Sequence, residues 1–207
     1  MNQRIFTLSF HAMLTSILFL MGVIPSLGFV TINPTISFTL MHIPVLIGAY
    51  LFGTKGGVYY GFLFGLLSFW QASSNPTDIL DPFFQNPMIS ILPRLLFGAF
   101  AGFTFSIVRF LENKVWIKRS LLAIFAGLLT ILHTILVLGV MGVVRGNDVL
   151  SALSSVGFND TYFAFILLIL TLNGIWEAML GVMLVPAVAV ASSKISSVRR
   201  IMSKREV

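Results

Sequence analysis

The residues of this chain that can do chemistry are few, and most of them stand inside apolar runs. Arg94 occurs in Ile91-Leu92-Pro93-Arg94-Leu95-Leu96, where a cation is costly unless it is paired or faces a water-filled cavity. A guanidinium holds a carboxylate through two parallel hydrogen bonds. Arg94 therefore reads either as the anchor of an anionic ligand or as the structural partner of Glu177, a carboxylate in another apolar run. Asn173 precedes Glu177 by four residues and shares its helical face. The two form an inward polar stripe: either Asn173 points at a ligand with Glu177 supporting it, or they clamp helix register.

The histidines are isolated from one another. His42 is flanked by Met41 and Ile43, His133 by Leu132 and Thr134, and His11 lies near the start of the first run. No metal-ligand spacing links them, and no metal is expected. Each of His42 and His133 reads as a hydrogen-bond donor between helices or as a ligand contact, and His11 as structural or coupling-related. Trp70, with Gln71 and Asn75, ends a run where tryptophan ordinarily belongs to an aromatic belt at the membrane surface, a lid over a pocket being the alternative. There is no Gly-x-Ser-x-Gly elbow, no His-Glu-x-x-His pair and no phosphate-cradling lysine motif, so no catalytic residue and no cofactor are expected and any energy source belongs to partners. An enzyme moving protons with His42, His133 and Glu177 is the competing class, disfavoured by the separation of these residues. A self-sufficient secondary transporter should show an internal repeat, and none is visible.

The elements that carry these residues are set by composition. The chain has 207 residues, 57% hydrophobic and 10% charged, against about 25% charged in an average soluble domain. Lipid gives the backbone no partners, so only helices or closed barrels span it, and long apolar runs without period-2 alternation choose helices. At about 20 residues per span, the expectation is a single all-α domain of six transmembrane helices. The runs lie at about 5–24, 35–52, 58–70, 88–110, 120–143 and 162–191. The first is span-length and reads as retained rather than as a cleaved signal. Gly53-Thr54-Lys55-Gly56-Gly57 reads as a turn between the second and third, residues 71–87 as a long polar loop, and residues from about 192 onward as a basic cytoplasmic tail. The last run, about 30 residues or roughly 45 Å of helix, exceeds the hydrocarbon core and calls for tilt or a break near Pro186.

Lysine and arginine mark the cytoplasmic side. With both termini inside, Arg4, Lys55, Lys114, Lys118, Arg119, Lys194, Arg199, Arg200, Lys204 and Arg205 fall there, and Arg145 falls in an outer loop. Asp78, Asp81, Asp148 and Asp160 fall outside. The net charge of +6 is spread over loops and the tail, which speaks for membrane topology and against nucleic acid. With no Cys, neither disulfide nor thiolate chemistry is open to it.

Met41-His42-Ile43-Pro44-Val45-Leu46-Ile47-Gly48-Ala49, then Leu51-Phe52-Gly53-Thr54-Lys55-Gly56-Gly57, Gly61 and Phe64-Gly65-Leu66 resemble the substrate-specific component of energy-coupling-factor vitamin transporters. So do Asn86-Pro87-Met88-Ile89-Ser90-Ile91-Leu92-Pro93-Arg94-Leu95-Leu96-Phe97-Gly98 and Asn173-Gly174 with Glu177. The resemblance covers nearly the whole chain. It implies a multi-pass protein of the cell membrane that binds a vitamin from outside. Such a component docks on a transmembrane coupling protein driven by two cytoplasmic ATPases and hydrolyses nothing itself. Ala12 and Ser16 occupy the place of the small residues, four apart, with which the family's first helix approaches the coupling protein. Such a stripe also suits contact with the protein's own helices. The pattern is most similar to the pantothenate components, which implies Arg94 on the carboxylate near the outer end of the pocket, with Asn75, Asn86, Asn173 and His133 as partners for hydroxyl and amide groups. Pyridoxine or hydroxymethylpyrimidine would use many of the same groups, and folate or cobalamin is a more distant alternative.

Overall fold

In the computed structural model, described for residues 3–33, 36–76, 78–111 and 115–193, the apolar runs are helices, as a backbone without water requires. Helix α1 spans Gln3–Val23 and is followed by the single turn α2, Pro25–Gly28. Then come β1, Phe29–Asn33, and β2, Ile36–Thr39, paired antiparallel with Phe29 opposite Thr39 and Val30 opposite Phe38. Helix α3 covers His42–Ser74, α4 Asp81–Phe84, α5 Pro87–Leu111 and α6 Val115–Ser154. The last run is α7, Tyr162–Ile169, a π-helical turn at Leu170–Gly174, and α8, Ile175–Ser193. The basic tail from Lys194 onward, Lys114, and Thr35 at the expected start of the second span lie outside the described residues.

Among the described residues, four helical stretches are long and apolar enough to cross a membrane: 4–23, 87–110, 115–154 and 162–192. The stretches expected as second and third spans fall largely on the two arms of α3, which is not one of the four. Gly53 divides them at φ 66° and ψ −157°, a left-handed conformation open to glycine at no steric cost. Gly48 of the first arm lies against the ring of Tyr60 in the second, so the chain doubles back at this residue. The expected turn over residues 53–57 is thus compressed into Gly53, and helix resumes at Thr54.

Three further expectations are corrected. The second span does not start near residue 35, because Ile36–Thr39 is strand. The β-branched and aromatic residues Val30, Thr31, Ile32, Ile36 and Phe38 flank an Asn33-Pro34 turn signal. Arg145 is not in an open loop. It sits at a break inside α6, with φ −143°, and pairs with Asp148 at 2.9 Å on an exposed surface. The last run yields at Leu170–Gly174 and not at Pro186, which lies within α8. A transmembrane helix tolerates proline where neighbours and local adjustment re-satisfy the backbone.

Helix α3 packs on α5, α5 on α6, α6 on α8 and α8 back on α3, with α1 applied to α3 from outside the ring. The α3–α5 contact is made of backbone. A Cβ at Gly57 would overlap the Gly98 carbonyl, one at Gly61 the Arg94 carbonyl, and one at Gly102 the backbone of Thr54. Glycines every four residues on one helix facing glycines every four on the other let two helices approach without a side chain between them. Helix α1 buries Leu14 and Leu18 and ties itself to α3 by His11 Nδ1 to the Tyr60 hydroxyl at 2.8 Å and Thr15 to the Tyr59 hydroxyl at 3.3 Å. The imidazole of His11 also stacks on Phe52, centroids 3.6 Å apart.

The glycine seam makes a direct expectation. Gly61→Leu or Gly98→Leu must push α3 and α5 apart and should cost at least about 2 kcal/mol, the scale of overpacking in a filled interior. Thermal unfolding in detergent checks this: a midpoint matching the parent protein's would show that the two backbones do not touch as described.

Candidate functional site

A cavity of about 130 Å³ opens between the hairpin, α3, the α4 segment, α5, α6 and the π turn, with Arg94, His133, Asn173 and Glu177 in its wall. It borders a cluster of buried apolar residues to which Leu80, Leu138 and Ile169 also belong.

Arg94 reaches this wall because α5 starts cleanly. Asn86 accepts the amide of Met88 at 3.0 Å through its side chain, and Pro87 fills the first helical position, where a missing N–H costs nothing. About two turns later Arg94 is 4% exposed. Its Nη1 donates to the Ile89 carbonyl at 2.8 Å. The Phe84 ring centroid lies 4.7 Å from its guanidinium carbon and that of Phe64 5.5 Å, both within cation–π range. Its Nε has no hydrogen-bond partner among the described residues.

Glu177 makes no salt bridge with Arg94; among the described residues the salt bridge formed is Arg145–Asp148. Its Oε1 instead accepts the backbone N–H of Thr39 at 2.6 Å. On the other side of the same residue, the Thr39 carbonyl accepts from His42 Nδ1 at 2.8 Å. A carbonyl only accepts, so this Nδ1 carries the proton. The last residue of β2 is thus held from both sides, by the buried carboxylate of α8 and by the imidazole that opens α3.

His133 is 3% exposed, its ring packed against Phe64 at 5.4 Å and Phe97 at 4.8 Å. Neither of its ring nitrogens has a hydrogen-bond partner among the described residues. Asn173 is buried within the π turn, a rare helical irregularity that is frequent at functional sites.

Of the residues singled out from sequence, Arg94, His133, Asn173 and Glu177 come together. His42 is buried behind Thr39 and does not line the cavity. Trp70, 45% exposed, lies on the surface. Asn75 closes the end of α3, its carbonyl accepting Gln71 Nε2 at 3.2 Å, and Asn86 caps α5. None of these three is in the cavity wall. Ala12 and Ser16 are exposed on α1, opposite the Leu14–Leu18 stripe that faces α3.

The cavity wall also contains Thr39, Ser68, Gln71, Asp78, Asp81 and Phe84. Ser68 and Gln71 were detectable, since they continue the helical face of Phe64 at spacings of four and seven. Asp78 and Asp81 form a local turn, Asp81 Oδ2 accepting the Asp78 amide at 2.9 Å and Asp78 Oδ1 the Leu80 amide at 3.1 Å. Their place beside the cavity follows from how α4 folds over it, which no local pattern announces.

Comparison with known proteins converges on one family. The family described as "ECF transporter, substrate-specific component" matches residues 6–189. The pantothenate transporter PanT of Leuconostoc mesenteroides subsp. mesenteroides is 32% identical over 177 residues, covering 84% of this chain and 85% of the relative. The pantothenic acid transporter PanT of Lactococcus lactis subsp. cremoris is 29% identical over 170 residues, covering 75% and 78%.

The clamp on Thr39 can be tested without any ligand. Glu177→Ala strands a buried N–H, a loss of about 1–3 kcal/mol, and should accelerate amide hydrogen exchange across residues 28–41. Unchanged protection there would mean that the carboxylate does not hold the hairpin.

Proposed function

Because this chain belongs to the substrate-specific components of ECF transporters, we propose that it captures pantothenate in the Arg94 cavity and passes it inward with a transmembrane coupling protein and two cytoplasmic ATPases. The observation that carries this reading is a cation buried in a cavity wall with its Nε unpartnered and the neighbouring carboxylate engaged elsewhere. A group so placed favours an anion, and pantothenate ends in a carboxylate. Both relatives bear the name of a pantothenate transporter. Asn173 and His133 face the ligand from the same cavity wall as Arg94, and Glu177 holds the end of the hairpin against the site.

In the same reading the chain is a multi-pass protein of the cell membrane. Its six crossings are α1, the two arms of α3, α5, α6 and the α7–α8 run, with both termini cytoplasmic. This places Lys55, Lys118 and Arg119 inside, as positive charge prefers. The exposed Ala12–Ser16 stripe of α1 is where the coupling protein docks, small residues allowing a second helix to come close.

Replacing the cation tests the anchor. Arg94→Ala should lower pantothenate affinity by at least about 10-fold, on the scale of a charged hydrogen bond, with Arg94→Lys intermediate because it keeps charge without the fork. Isothermal titration of the purified, folded variants reads this out, and parent-like affinity in Arg94→Ala rules out the anchor. Ala12→Trp or Ser16→Trp should leave that affinity intact while abolishing co-purification with the coupling protein. Normal co-purification would place the docking surface elsewhere.

A further inference from the structure

We infer that His133 is the group that reads the ligand's hydroxyls, so that the cavity selects a hydroxylated acid over a plain carboxylate of the same shape. The inference rests on the proposed substrate and asks what lies at the other end of it from the anchored carboxylate.

His133 is buried, lines the cavity, and has no hydrogen-bond partner among the described residues on either ring nitrogen. Burying a polar group in this state is expensive, and the ring cannot swing away in search of a partner, because Phe64 and Phe97 pack against it. A neutral imidazole has one N–H to give and one lone pair to fill. An ionised carboxylate only accepts, so it can answer one of the two nitrogens at most. A hydroxyl both donates and accepts, and two neighbouring hydroxyls do so with freedom to choose which. An amide has its donor and acceptor fixed on different atoms, so among the groups of the proposed substrate the pair of hydroxyls is the one that can answer both nitrogens in either tautomer.

The placement agrees with the anchor. The guanidinium carbon of Arg94 lies 5.5 Å from the centroid of the Phe64 ring and the imidazole of His133 lies 5.4 Å from the same centroid. Both side chains thus pack on the one buried ring of Phe64 and both stand in the cavity wall, so a single extended ligand can reach from one to the other. Pantothenate carries its two hydroxyls at the end remote from its carboxylate, with an amide between.

The experiment compares two ligands on two proteins by isothermal titration: pantothenate and its dideoxy analogue, which keeps carboxylate, amide and carbon skeleton, each against the parent protein and His133→Phe. The variant retains an aromatic ring between Phe64 and Phe97. The parent should prefer pantothenate by about 10- to 100-fold, the range for leaving a buried polar group unpaired. His133→Phe should lose that preference by weakening pantothenate alone, a coupling that the four-way comparison isolates. A parent that binds both ligands equally overturns the inference with no variant needed, as it would if a buried water satisfied the imidazole. A folded His133→Phe that keeps the preference overturns it too, and either result leaves pantothenate as the substrate. A parent that binds neither ligand removes the proposed substrate and this inference together.

Discussion

The backbone contact between α3 and α5 governs where everything else in the bundle can go. Gly61 meets the carbonyl of Arg94 itself, so the residue that carries the buried charge is fixed within this backbone contact. Phe64, within one turn of Gly61, is thereby brought beside the guanidinium on one side and His133 on the other. Helix packing without side chains leaves no slack. Helix α6 follows by packing on α5, α8 by packing on α6, and the return of α8 to α3 closes the ring around the cavity.

Within that ring, the two opposite charges attract one another without meeting in an ion pair. Arg94 and Glu177 would neutralise one another in an ion pair, and a bound anion would then have to break it. Here the carboxylate is occupied by the Thr39 amide and the guanidinium by the Ile89 carbonyl and two aromatic rings. The end of β2 lies in the cavity wall, where backbone left unpaired away from water is penalised. Glu177 and His42 supply them on either side of one residue. The same carboxylate thus secures the end of β2 and forms no ion pair with the cation.

The helical class, the membrane and the inward polar residues were legible because each rests on a local property: apolar run length, the cost of Arg94 in such a run, and the four-residue spacing of Asn173 and Glu177. The hairpin was hidden because its strands are short and as apolar as the helices beside them, and only the Asn33-Pro34 turn signal betrays it. The partner of Glu177 was hidden for a related reason, since it is a backbone amide, which sequence never distinguishes. The yield point of the last run was misplaced at Pro186 because proline is the usual breaker. The π turn at Leu170–Gly174 is instead an irregularity of hydrogen-bond register, for which this sequence carries no punctuating residue other than Gly174. Trp70, Asn75 and Asn86 drew attention as polar or aromatic residues at helix ends, and helix ends are where belts and caps also belong.

The first arm of α3, His42–Phe52, has one further consequence. Eleven residues of helix rise about 16 Å, roughly half of a 30 Å hydrocarbon core, so in the proposed six-crossing arrangement this arm cannot cross alone and the hairpin leading into it has to supply the rest. Strand backbone at membrane depth is tolerated only where protein or a water-filled cavity shelters it, and at Thr39 that shelter is the carboxylate of Glu177 on one side and the imidazole of His42 on the other.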